Sequence, residues 1–196
     1  MGYHQAGFDV VGVDIKPQSR YPFEFHIGDA LEYPIDGFDL IHASPPCQRY
    51  TRTNAAHRWK HPDLIAATRE RIKHHNYVIE NVQEARALLI SPLMLCGGMF
   101  GLPIHRHRYF EINPIFFCLL PPCNVQGETV YITGTPRPKD GSPRKDPPAN
   151  VKRAAMQTPW MTIKNMDEAI PPAYTEFIGK QLIKIINNNR LHLASK

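Results

Sequence analysis

The sequence has no apolar run long enough to cross a membrane. Its longest candidate, Ile115–Leu120, has six residues, whereas a membrane span needs about 18. The opening residues Met1–Gln5 are polar, and no apolar stretch of a secretion signal follows them, so we expect a cytoplasmic protein with no membrane partner. Four cysteines are too few for a disulfide scaffold of 196 residues, which agrees with a reducing compartment.

Neither sign of charge dominates the chain. The net charge of +5, from 23 Lys/Arg and 18 Asp/Glu, is only a mild indication of a nucleic-acid partner. The chain instead alternates strand-like and helix-like segments, with a helix predicted over residues 62–75. The apolar segments that predict strands are residues 9–14, 38–43, 77–79 and 108–112. This alternation predicts an α/β fold with a mostly parallel sheet.

Prolines number 19, about twice the typical share of about 5%, and many lie within residues 113–165. A long helix or a central strand does not tolerate that density, so we predict an irregular, basic, surface-exposed insert there. An amphipathic helix is predicted over residues 173–188, packing back on the core. The predicted organisation is a core over 1–112, the insert over 113–165 and a returning helical segment over 166–196.

Cys47 follows a predicted strand directly, within the segment Ser44–Gln48. The carboxyl ends of strands are where ligands gather in α/β sheets, and the two prolines before Cys47 restrict its backbone. Residues 44–62 contain no acid, and such surroundings favour a reactive thiolate and would also suit a phosphate backbone. The simpler interpretation is a small buried side chain, the usual fate of a free cysteine. The basic residues of this segment are Arg49, Arg52, His57, Arg58, Lys60 and His61.

Glu80 also closes a predicted strand, where a desolvated carboxyl could keep its proton and donate it to a ring nitrogen. Arg106 and Arg108 stand two residues apart, so on a strand they would share a face and could converge on one polar target. The simpler interpretations are a solvated strand-end carboxylate and a solvated basic edge. Both alternatives stay open at this point.

Asp14 ends the first predicted strand, and Asp29 follows a second short one. Either acid could accept a hydrogen bond from a ribose hydroxyl, or could simply cap the next helix. The remaining cysteines offer one loose pair, Cys118 and Cys123, and a zinc site needs two, so we expect no metal. His105 and His107 are expected at the surface.

Taken in order, these segments resemble the C5-cytosine DNA methyltransferases. Pro46-Cys47-Gln48 matches that family's nucleophile motif, and Glu80-Asn81-Val82 matches its Glu-Asn-Val motif. The segment from Phe100 to Arg108 is similar to its Gly-Val-Pro-Gln-x-Arg-x-Arg motif, and residues 2–14 with Gly28-Asp29 are similar to its cofactor-binding segments. The resemblance covers about residues 2–112 and implies a Rossmann-like S-adenosylmethionine-dependent fold with a small recognition insert.

The resemblance implies the reaction and its residues. Cys47 would add to C6 of a flipped-out cytosine, Glu80 would hold N3, and Arg108, with Arg106 near it, would bind O2 or order the catalytic loop. The partner would be double-stranded DNA and the cofactor S-adenosylmethionine. The implied cofactor-binding residues are Asp14, Ile15, Asp29, Ser44 and Pro46. The implied DNA-binding residues are Gln48, Arg49, Arg52, Asn81 and Val82.

The family's opening strand and Gly-rich cofactor loop have no counterpart in the segment that begins at Met1. That strand is central in the family's sheet, so we expect a gap in the sheet, and a second chain could supply the missing piece. Three alternatives stay open. They are a non-catalytic or split-subunit DNA-binding relative, a tRNA cytosine-5 methyltransferase, and an unrelated cysteine hydrolase.

Overall fold

The computed structural model describes residues 1–51, 60–133 and 146–194. Within them the chain has a mixed α/β fold, which confirms the α/β class at that level. The strands are β1 (Val11–Asp14), β2 (Glu24–Ile27), β3 (Ile41–Ala43), β4 (Tyr77–Asn81), β5 (Leu93–Leu95) and β6 (Arg108–Asn113). The α-helices are α1 (Gly2–Gln5), α2 (Ile65–Ile72), α3 (Ala149–Met156), α4 (Ile163–Met166) and α5 (Pro172–Ala194). Short 3-10 helices follow β4 and β5, at Gln83–Leu88 and Gly97–Phe100.

The described strands form two sheets. β1 and β2 pair in parallel, and the second sheet has the order β3-β4-β6-β5. In that sheet β3 and β4 are parallel, whereas β6 is antiparallel to both β4 and β5. The expectation of a mostly parallel sheet is therefore wrong for two of the four described pairings. The connections on either side of β5 contain only 3-10 helices, and parallel neighbours usually need a longer crossover with an α-helix.

Helix α1 links the two sheets. It packs against α5, and a Cβ at Gly2 would lie 2.1 Å from the Pro172 carbonyl oxygen, so only glycine permits this approach. The Tyr3 hydroxyl lies 2.8 Å from Nδ1 of His42 on β3, and the ring of His4 contacts Phe23, just before β2. No hydrogen bond between the two sheets is present among the described strands.

Strand β4 is buried along its whole length and separates two apolar clusters. Tyr77 and Ile79 face α2, while Val78 faces α5, as the two-residue period of a strand requires. The α5 cluster includes Tyr174, Ile178, Leu182 and Ile186. α5 is longer than the predicted 173–188 because its last turns continue along a more exposed polar segment.

Residues 114–133 of the predicted insert form neither helix nor strand, and α3 and α4 follow later in it. Residues 134–145, where much of its basic charge lies, are outside the described part of the chain. Phe116 and Leu120 pack on the α5 cluster, whereas Phe117 and Leu119 are exposed. None of the helices in the described ranges combines the length and the apolar character needed to span a membrane.

Candidate active site

The carboxyl ends of the parallel strands β3 and β4 meet at one edge of the larger sheet. The chain leaves β3 through Ser44-Pro45-Pro46-Cys47, and the Asn81 side chain at the end of β4 donates to the Pro45 carbonyl across 2.9 Å. The Cys47 carbonyl accepts from the amides of Tyr50 and Thr51 at 2.9 and 3.1 Å. The backbone around Cys47 is thus fixed by a buried hydrogen bond on one side and a turn on the other.

Glu80 lies at this edge with 6% of its surface exposed. Its Oε1 is 3.0 Å from Nε of Arg108, the first residue of β6, and it accepts a hydrogen bond from the Ser44 side chain. Burial raises the pKa of Glu80, although Arg108, the Ser44 hydrogen bond and Arg106 act in the opposite direction. A carboxyl in this setting can hold a proton and release it to a bound group.

A hydrogen-bonded chain behind Glu80 was not predicted from the sequence. The Tyr3 hydroxyl lies 2.8 Å from Nδ1 of His42, whose Nε2 lies 3.1 Å from the Ser44 hydroxyl. Burial, assisted by the N-terminal ammonium, lowers the pKa of His42 to about 4, so its ring is neutral near pH 7. Burial and the negative charge of Glu80 raise the pKa of Tyr3, so its hydroxyl stays protonated. His42 and Ser44 are two residues apart, a spacing that places them on one side of an extended chain. This spacing was the only feature of the sequence that indicated the hydrogen-bonded chain.

Cys47 carries a free thiol and is half-buried. Burial raises the pKa of this thiol, with further contributions from Glu80 and Glu168, while Arg108 and the backbone hydrogen bond lower it. The expectation that basic surroundings favour a thiolate is not met, because loss of solvation outweighs the nearest cation. If Glu80 carried a proton, its negative charge would no longer offset the positive charge of Arg108. The positive charge of Arg108 would then favour ionisation of the Cys47 thiol.

Arg106 and Arg108 do not converge on one target. Arg108 pairs with Glu80, whereas Arg106 is buried and donates to the backbone carbonyls of residues 166, 167 and 169 at 2.7–3.2 Å. The Tyr174 hydroxyl donates to the Arg106 carbonyl at 2.6 Å. Arg106 therefore fixes the segment before α5 against this edge of the sheet, and only Arg108 contacts the predicted acid.

The predicted DNA-binding residues surround the Cys47 turn. The Gln48 side chain donates to Glu168 at 3.2 Å, and its buried Oε1 has no partner among the described residues. Arg49 donates to the His61 carbonyl at 2.9 Å, closing the ends of the segment that contains residues 52–59. Arg52 lies outside the described residues. Asn81 is buried, and Val82 packs against the α2 cluster.

The predicted cofactor residues Asp14, Ile15 and Asp29 lie at the carboxyl edge of the smaller, parallel sheet. Asp14 accepts from the Lys16 amide and the Gln18 side chain at 2.9 and 3.2 Å, and Asp29 accepts from the Leu31 amide at 2.9 Å. Ile15 is 67% exposed beside them. Two carboxylates and an exposed apolar side chain suit the ribose and adenine of a nucleoside. Ser44 and Pro46 lie on the β3 side, at the Cys47 turn.

Comparisons with known proteins give no match to this chain: no protein-family model matches it, and neither a curated protein nor a solved structure is significantly similar to it.

Proposed function

We propose that this chain is a cytosine-5 methyltransferase that acts on DNA. One observation carries the proposal: Cys47, Glu80 and Arg108 meet at the carboxyl ends of β3 and β4, where the Asn81 side chain holds the Cys47 turn and Arg108 pairs with Glu80. Each of these residues lies in a motif that resembles the corresponding family motif. The group supplies a nucleophile, a carboxyl able to hold a proton, and a cation beside it.

Cys47 is the nucleophile of the proposed reaction. Cytosine C5 is too weak a nucleophile to take a methyl group unaided, so Cys47 gives up its proton to solvent, the thiolate bonds to C6 and the C5=C6 electron pair becomes available at C5. The face of the base is closed off inside a duplex, so the cytosine must be flipped out of the helix. The buried, unpartnered Oε1 of Gln48, the next residue, is an acceptor suited to the exocyclic amino group of that base.

Glu80 holds the ring at N3 in this proposal. Its raised pKa favours the protonated form, and a protonated carboxyl can donate to N3 as negative charge develops there. Arg108 stabilises the charge that builds on the ring and on Glu80. The neutral form of Glu80 also favours the thiolate of Cys47, because the two groups repel each other when both are charged.

The cofactor of the proposed reaction is S-adenosylmethionine, which when bound supplies the methyl group. Asp14 and Asp29 would hold its nucleoside, with Ile15 against the adenine, because carboxylates accept hydrogen bonds from the hydroxyl and amino groups of such a nucleoside.

The proposal can be tested without relying on the cofactor. Addition of Cys47 to C6 makes C5 accept a proton from water, and elimination of the sulfur then releases the original C5 hydrogen. Duplex DNA that contains [5-³H]cytosine should therefore release tritium when the chain is added. Cys47→Ser should reduce that release by at least about 10³-fold, because it removes the nucleophile.

The matched control is Cys118→Ser, which removes the other free cysteine of the described chain. It should release tritium like the unchanged protein. Tritium release that survives Cys47→Ser would contradict the nucleophile assignment. Binding of duplex DNA without release would favour the non-catalytic relative, and release from tRNA but not from DNA would favour the tRNA enzyme.

A further inference from the structure

Four side chains that the proposed reaction does not use form a cluster at residues 105–108, the segment that contains Arg106 and Arg108. Cys96 follows β5, His105 and His107 precede β6, and Cys123 belongs to the irregular segment after β6. Their ligand atoms all lie within 4.8 Å of one another. Only the loose pair Cys118 and Cys123 was visible in the sequence, because residues from three separate segments form this cluster.

The distances between the imidazole nitrogens and the sulfur atoms are close to those of a tetrahedral zinc site. Zinc bonds of about 2.3 Å to sulfur and 2.0–2.1 Å to nitrogen imply distances of about 3.3–3.8 Å between neighbouring ligand atoms. His107 Nε2 lies 3.3 Å from the Cys123 sulfur. His105 Nδ1 lies 3.8 Å from the same sulfur and 3.9 Å from that of Cys96. Two of these distances between an imidazole nitrogen and a sulfur lie within that range, and the third is 0.1 Å longer.

Cys96 and Cys123 are joined as a disulfide in this structure. A disulfide uses two of the four side chains and gives no reason for two imidazole nitrogens to lie beside the sulfur atoms. A metal ion uses all four. Two thiolates and two imidazoles are a soft and borderline donor set that suits Zn²⁺, and the absence of a carboxylate from the cluster argues against Mg²⁺ or Ca²⁺.

We propose that the reduced form of the chain binds one Zn²⁺ through Cys96, His105, His107 and Cys123. Binding replaces the two thiol protons, which pass to solvent, so the site carries two thiolates, two neutral imidazoles and no net charge. With four protein ligands, no position is open for water, so the ion is structural. This proposal differs from the sequence prediction of no metal, whereas the predicted surface position is confirmed for His105, which is exposed, and His107 is half-buried.

The ion would act on the proposed active site through the backbone. The two histidines alternate with Arg106 and Arg108 along residues 105–108, and the arginine side chains point instead to the segment before α5 and to Glu80. A zinc ion would tie this stretch to the end of β5 and to Cys123 at the same time. The ion would therefore position Arg108 without touching a substrate. The metal site itself does not depend on the proposed reaction.

The test is the metal content of the full chain, purified with a phosphine reductant and dialysed against metal-free buffer. We expect about one zinc per chain. Cobalt added to the zinc-free chain should give the visible bands of a tetrahedral ion and a thiolate-to-cobalt charge-transfer band. Cys123→Ser and His107→Ala should each weaken metal binding by more than the roughly 10–100-fold that loss of an outer-shell partner costs.

The matched controls are Cys118→Ser and His74→Ala, which remove a cysteine and a histidine outside the cluster. Both should keep one zinc and the cobalt spectrum. If Cys123→Ser does not fold, the cobalt spectrum of the unchanged chain still decides, because it reports thiolate ligation directly. A reduced chain that holds no zinc, or equal zinc in Cys123→Ser and the unchanged chain, would overturn the proposal.

Discussion

Two buried glutamates on neighbouring strands, each beside an arginine, show how differently the two faces of the larger sheet are used. Glu80 on β4 is 6% exposed and Glu111 on β6 is 1% exposed. Glu111 is directly opposite Ile79 and lies on the α2 face, whereas Glu80 is opposite Phe110 and lies on the α5 face. Burial alone does not distinguish them.

The hydrogen bonds do distinguish them. Arg69 donates to both oxygens of Glu111 at 2.7 Å, and the Tyr77 hydroxyl and the Ile90 amide each donate at 2.9 Å. Burial would raise the pKa of Glu111, but these hydrogen bonds outweigh it and hold the pKa below its ordinary value. Glu80 has fewer partners, and burial raises its pKa. A fully bonded carboxylate stabilises the fold, whereas an incompletely bonded one stays available for proton transfer.

The largest expected effect is on catalysis. Glu80→Gln keeps the shape of the side chain but cannot deliver a proton to N3, so tritium release from cytosine should fall by at least about 100-fold. The variant should still fold and bind DNA. Glu111→Gln is its matched control and should keep most of the activity at temperatures where it stays folded. Equal losses in the two variants would remove the distinction between the glutamates.

The next effect is on stability. Glu111→Gln breaks a buried ion pair and leaves Arg69 without its charged partner, which should lower the free energy of unfolding by about 3 kcal/mol. Urea denaturation followed by circular dichroism measures this loss. Glu168→Gln, at an exposed carboxyl that accepts a hydrogen bond from Gln48, should change the unfolding free energy far less. A Glu111→Gln variant as stable as the unchanged chain would show that this network is not structural.

The contributions of the two glutamates to the free energy of unfolding should change with pH in opposite directions. Because the pKa of Glu111 is lowered, its contribution to stability is present above the ordinary value of 4.5 and is lost as the pH falls through the lowered pKa. Because the pKa of Glu80 is raised, its contribution is present below 4.5 and is lost as the pH rises through the raised pKa. Relative to the unchanged chain, Glu80→Gln should gain stability with rising pH, and Glu111→Gln should lose it. Slopes of the same sign would contradict this account.

The smallest effect concerns the chain of hydrogen bonds behind Glu80. Tyr3→Phe leaves Nδ1 of the half-buried His42 without its hydrogen-bond partner and should cost about 1–2 kcal/mol of stability. Activity should fall only a few-fold, because Ser44 still contacts Glu80. Tyr131→Phe, at an exposed tyrosine, is the matched control and should change neither quantity. A loss of activity as large as that of Glu80→Gln would mean that Tyr3 takes part in proton transfer.

Local pattern predicted much of the larger sheet and the principal residues of the site. The runs before Ser44 and Glu80 are strands in the structure, and their parallel pairing brings the two positions to one edge. Strand direction was harder to predict, because it depends on how short connections such as those around β5 fold back. The pKa of Cys47 was misjudged, since the surrounding basic residues favour a thiolate only where burial does not outweigh them.

Features assembled from distant segments left almost no trace in the sequence. The chain from Tyr3 through His42 joins residues 39 positions apart, and Arg69 meets Glu111 across 42 positions. The cysteine and histidine cluster combines three segments, one of them within the proline-rich region. Each of these arrangements depends on tertiary packing rather than on periodicity or motif spacing.

The difference between Glu80 and Glu111 is tested most directly by measuring the pKa values of both carboxyl groups in the folded chain. Glutamate labelled with ¹³C at the side-chain carboxyl can be titrated by NMR, with Glu80→Gln and Glu111→Gln used to assign the two signals. The account predicts that Glu80 titrates above the ordinary value of 4.5 and Glu111 below it. A Glu80 that titrates at or below Glu111 would contradict the account.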